Sequence, residues 1–75
     1  MNNPFCDLTD AQLCTMYAVY EEWNNTGIIP DDSVFAELRE LYKTNYGASC
    51  ALVLMERDYL KECAKRFADL RGSER

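Results

Sequence analysis

The chain contains no histidine. Its absence removes the commonest general base near neutral pH, and with it the Ser-His and Cys-His nucleophile pairs. Glycine is scarce. Gly27, Gly47 and Gly72 are isolated from one another, so no glycine-rich loop exists to cradle a phosphate. The four cysteines, Cys6, Cys14, Cys50 and Cys63, are separated by 7, 35 and 12 residues. No pair has the close spacing of a structural zinc site, and neither metal nor cofactor is expected. No apolar run approaches the roughly 20 residues that span a bilayer. The longest uncharged stretch, Thr44 to Met55, is broken by Asn45, Gly47 and Ser49. The first five residues, Met-Asn-Asn-Pro-Phe, carry neither a basic region nor an apolar core, so no signal peptide is read there and a cytoplasmic location with reduced thiols is expected.

The last absence is of one sign of charge. No Lys or Arg precedes Arg39, while Asp7, Asp10, Glu21, Glu22, Asp31, Asp32 and Glu37 do, which leaves that stretch at −7. All eight bases fall in residues 39–75, against six acids. The net charge of −5 disfavours non-specific binding to nucleic acid or a membrane surface.

What is present is globular material. At 75 residues, 48% of them hydrophobic and 12% aromatic, the chain reads as one small ordered domain rather than a disordered segment. Such a domain buries only about 60% of its unfolded surface, so its stability is expected to be modest. Thr9 and Gln12 have the spacing of a capping box, and Leu8 and Leu13 that of a hydrophobic staple. Leu13, Tyr17, Tyr20 and Trp23 follow at helical spacing and predict a helix over 10–24. Pro30-Asp31-Asp32-Ser33 opens a second helix, 32–46, capped by either Asp and ended by Gly47. A third, 49–70, carries one stripe of Leu52, Met55, Tyr59, Cys63, Phe67 and Leu70 and an adjoining one of Val53, Leu60, Ala64 and Phe67. So wide an apolar face implies two neighbours. Gly72 stands past its end, in a mobile tail 71–75. The expected fold is all-α, a small three-helix bundle, antiparallel and up-down-up because the connections are short, with the third helix longest.

In that arrangement the end of helix 3 overshoots beside the loop joining helices 1 and 2. Either Ile28 and Ile29 cover Phe67 and Leu70, or those side chains form an apolar patch. The same pole gathers Glu21, Glu22, Asp31 and Asp32 with Lys61, Lys65, Arg66 and Arg71. One reading is structural: acids at helix starts and bases at helix ends suit the dipoles, and cross-helix pairs form there. The functional reading is an acidic wall, with Tyr20 and Trp23 as anchors, meeting a basic protein surface. The stripe Arg57, Lys61, Lys65 offers direct nucleic-acid binding as a further reading, although Asp58, Glu62 and Asp69 flank it. Helix 3 begins with Cys50-Ala51-Leu52-Val53, which does not suit a recognition helix.

Cys14 and Cys63 read as small hydrophobes, and a Cys6–Cys50 disulfide is conceivable if the chain start and the helix 2–3 turn share a pole. The acid pairs Glu21/Glu22, Asp31/Asp32 and Glu37/Glu40 read as solvated faces, and no catalytic residue is assigned. The expectation is a non-enzymatic interaction module with a protein partner: a small acidic inhibitor or adaptor that covers a basic or nucleic-acid-binding surface through Tyr20, Glu21, Glu22, Trp23, Asp31, Asp32, Phe67 and Leu70. The alternative is a dimeric module closed by the end of helix 3 and the helix 1 aromatics. In size and charge the chain is similar to small phage- and mobile-element-encoded regulators, an analogy of composition alone.

Overall fold

Three helices and one short turn account for the regular structure of the computed structural model, which describes residues 3–73. A 3₁₀ turn, Pro4–Asp7, precedes α1 (Asp10–Thr26), α2 (Val34–Tyr46) and α3 (Ala48–Ser73), and no strand occurs among the described residues. The fold is the all-α three-helix bundle expected, with the third helix longest. The molecule measures 42 × 26 × 17 Å.

Local chemistry fixes the helix ends. The Thr9 hydroxyl accepts from the Gln12 N–H at 3.1 Å, and the Gln12 side chain accepts from the Thr9 N–H at 2.8 Å. This is the expected capping box. α1 closes on Gly27, whose φ of 77° is left-handed and whose N–H donates to Trp23 O at 2.7 Å. α2 is capped by Ser33 rather than by Asp31 or Asp32. The Ser33 hydroxyl accepts from Ala36 N–H at 3.2 Å while donating to Pro30 O at 2.7 Å. A carboxylate, acceptor-only when ionised, could not do both at this buried position. Gly47, at φ 88° and ψ 156°, is the single residue between α2 and α3. α3 does not stop at Leu70. It continues through Gly72 to Ser73, so the tail assigned to 71–75 is helical as far as 73, and residues 74–75 lie outside the described range.

The core is aromatic. Phe35 of α2 is its centre, with ring centroids 5.0 Å from Tyr59, 5.4 Å from Trp23, 6.1 Å from Phe5 and 6.3 Å from Tyr20. Leu13, Met16, Ile29, Tyr42, Ala51 and Met55 complete it. α2 and α3 approach with their backbones close, whereas α1 is held off by its rings and leans across the pair. The first residue of α1, Asp10, reaches Arg66 of α3, while Trp23 near its end rests on Phe35 at the start of α2.

Two carboxylates lie on the buried face of α3. Asp58 accepts from the Tyr42 hydroxyl at 2.6 Å and from the Arg57 guanidinium at 2.9 and 3.1 Å. Glu62 accepts from Arg66 Nε at 2.8 Å. Both are satisfied, as buried charge must be. Arg66 also donates to Asp10 at 2.8 Å and to the carbonyls of Phe5 and Cys6, each at 3.3 Å. The N-terminal segment is thereby clasped onto α3 with Phe5 fully buried beneath it.

This clasp corrects two expectations. The end of α3 lies beside the start of α1 and the N-terminal turn, not beside the α1–α2 loop. Ile29 is instead spent in the core, Ile28 points out, and neither covers Phe67 or Leu70. Cys6 sits beside Arg66, and Cys50 lies sixteen residues earlier on the same helix, about 24 Å away along its axis. No disulfide can join them without unfolding, and all four thiols are free.

Candidate functional site

The core leaves two surfaces uncovered, and each descends from a sequence pattern. The first is the acidic end. α1 finishes with Glu21 and Glu22, the loop carries Asp31 and Asp32, and α2 brings Glu37 in its first turn. All five are exposed. Among the described residues none of the five is in an ion pair, so the cross-helix pairs expected with Lys61, Lys65 and Arg71 do not form there. Arg66 pairs instead with Asp10 and Glu62. The Glu21 carboxylate, four residues on from Tyr17 on the same face of α1, raises the Tyr17 pKa by its affinity for the phenol proton and its charge.

The apolar centre of this end is not the expected one. Trp23 is 8% exposed and packs on Phe35 and Tyr20, because its position on α1 faces the start of α2. It is withdrawn as a surface anchor. Tyr20 is half-buried in the aromatic cluster with its hydroxyl on Glu56 at 3.2 Å, and burial followed by the Glu56 charge raises its pKa. The exposed apolar residue is Ile28, 71% accessible and set between Glu22 and Asp31 in the chain. The signal for it lay in the pair Ile28-Ile29: consecutive residues in a short extended loop cannot both turn inward.

The second surface is an open apolar groove of about 360 Å³ between α1 and the C-terminal half of α3. Leu13, Cys14 and Tyr17 line one wall, and Tyr59, Cys63, Phe67 and Leu70 the other, with Asp10 and Arg66 at the rim. Phe67 and Leu70 are about 60% exposed, and Tyr17 is 55% exposed. The structure therefore does not gather the eight expected contact residues into one patch. Glu21, Glu22, Asp31 and Asp32 share the acidic end, Phe67 and Leu70 belong to the groove, and Tyr20 and Trp23 are core. Of the residues that line the groove, Tyr17, Tyr59 and Cys63 were legible as stripe positions, but their outward share was not.

The basic stripe Arg57, Lys61, Lys65 lines a separate polar hollow of about 490 Å³, together with Asn3, Cys6 and Tyr46. The carboxylates of Asp58 and Glu62 in its wall offset its field. Among the described residues, no three side chains of the metal-ligating types converge, and no helix is long and apolar enough to cross a membrane. Compared with protein-family models, curated proteins and solved structures, the chain shows no match to any of them.

Proposed function

We infer that the chain is a non-enzymatic protein-interaction module whose acidic end docks on a basic surface of a partner protein, in the manner of a small inhibitor or adaptor. The observation that carries this reading is the set of exposed carboxylates Glu22, Asp31, Asp32 and Glu37, none of them in an ion pair among the described residues, on the same stretch of chain as the exposed side chain of Ile28. Charge steers the encounter and an apolar centre excludes water, a division found at many protein interfaces. The first 38 residues hold no base to compete for those acids. A partner whose basic surface also binds nucleic acid would be blocked by such a contact. The setting proposed is the cytoplasm, where four free thiols persist.

The test is capture of binding proteins by immobilised wild-type chain and by two variants. Asp31→Lys combined with Asp32→Lys is expected to abolish retention of a partner that wild type holds in low salt. Ile28→Gln is expected to weaken it while leaving thermal melting unchanged. Retention that survives both the charge reversal and about 0.5 M salt, where the Debye length is only a few ångströms, overturns the reading.

A further inference from the structure

α3 carries an apolar seam that no described residue covers. Val53, Leu60, Ala64 and Phe67 follow at steps of seven, four and three, and all four are exposed, Val53 to 69% and Phe67 to 63%. The opposite face of α3, with Ala51, Met55, Asp58 and Tyr59, is the buried one. Apolar residues spaced three and four apart over about 21 Å suit a second helix at a shallow crossing angle, side chains interlocking. They do not suit a strand, since a helix has no spare backbone groups to pair with one.

Charge decides which helix fits. On one side of the seam stands α1, whose near edge carries Asp10, Cys14 and Tyr17 and, one turn on from Tyr17 on the same face, Glu21. On the other side runs the basic row Arg57, Lys61, Lys65, at steps of four. An occupant needs an apolar stripe with bases along the flank that meets α1, and α3 is itself such a helix. We propose that the seam is closed by α3 of a second copy of this chain lying parallel to it, the two related by a two-fold axis that runs along the helices. Parallel pairing sets each basic row against the other copy's α1 edge. Antiparallel pairing would set acid edge against acid edge and base row against base row.

The levels along the helix agree. Tyr20, which precedes Glu21, is bonded to Glu56, which precedes Arg57, and Asp10 is bonded to Arg66, which follows Lys65. Residues at equal height meet across such an axis, so Glu21 stands nearest Arg57 of the second copy, with Lys61 one turn further along and within reach of its long side chain, and Asp10 faces Lys65. The seam and the end around Ile28 are different surfaces, so this inference stands or falls apart from the acidic docking reading.

Sedimentation velocity from about 1 to about 100 µM at near-physiological salt tests it, because a dimer must dissociate by mass action. Wild type is expected to pass from monomer to dimer across that range. Leu60→Gln with Phe67→Gln is expected to raise the dissociation constant at least about tenfold, with helix content checked by circular dichroism; Val53→Gln serves if the double variant misfolds. Glu21→Lys and Lys61→Glu are each expected to weaken the dimer and, combined in one chain, to restore it. Wild type that stays monomeric overturns the proposal, as does a dimer indifferent to the seam replacements or one in which the charge swap fails to restore association.

Discussion

Two buried polar side chains, Tyr42 and Asp58, and the partly buried Arg66 show how the bundle holds charge inside so few residues. Tyr42 is fully buried, and its hydroxyl is the closest donor to the Asp58 carboxylate. Burial first, and the Asp58 carboxylate second, push the Tyr42 pKa well above its ordinary 10.0. Burial likewise raises Tyr59, with the Cys63 thiol adding to the effect. A raised tyrosine pKa gives stability that is complete below about pH 10 and is lost as pH rises further, because the unfolded chain then releases protons that the folded chain retains. Tyr42→Phe leaves Asp58 short of a donor and is expected to cost about 1–3 kcal/mol at neutral pH, read from urea melts. The same variant is expected to lose less stability than wild type between pH 10 and 11, since one of the two buried tyrosines resisting ionisation is gone. Arg66 gains its raised pKa from Glu62 and then Asp10, and it stays charged throughout that range.

Among the elements, the 3₁₀ turn contributes more than its four residues suggest. Phe5 is 0% exposed and touches both Phe35 and Tyr59. Phe5→Ala is expected to cost about 3–5 kcal/mol, close to the whole stability of a domain this small. Circular dichroism should show cooperative melting lost or moved to low temperature; a melt near that of wild type would mean the turn is not part of the core. This turn was illegible in the sequence because one aromatic in a four-residue segment has no period to reveal it. The helices themselves were legible for the opposite reason. Thr9 with Gln12, and Gly27 and Gly47 at positive φ, are local signals whose chemistry acts wherever the helices later pack. The α2 cap was misassigned to an Asp because the requirement for a hydroxyl donor toward Pro30 O arises only in the folded loop. The stripe Val53, Leu60, Ala64, Phe67 was also legible, but which side of α3 it faces depends on Asp58 and Glu62 being buried with partners. A rule that sends charge outward cannot foresee that.

For the molecule as a whole, the apolar residues divide between an aromatic interior and two outward surfaces, the acidic end around Ile28 and the seam on α3. The division depends on where α1 leans. With Trp23 and Tyr20 turned onto Phe35, α1 closes the core, leaves the acidic end without an aromatic anchor and leaves α3 with a face to spare. If α1 were rotated outward, Trp23 would join Glu21 and Glu22 at the surface. Trp23 is the single tryptophan of the chain, so its fluorescence reports this one feature without interference. The direct measurement is its emission and its quenching by iodide in native protein. The packing described here predicts blue-shifted emission that iodide barely quenches. Emission like that of the urea-unfolded chain, quenched equally well, would contradict it.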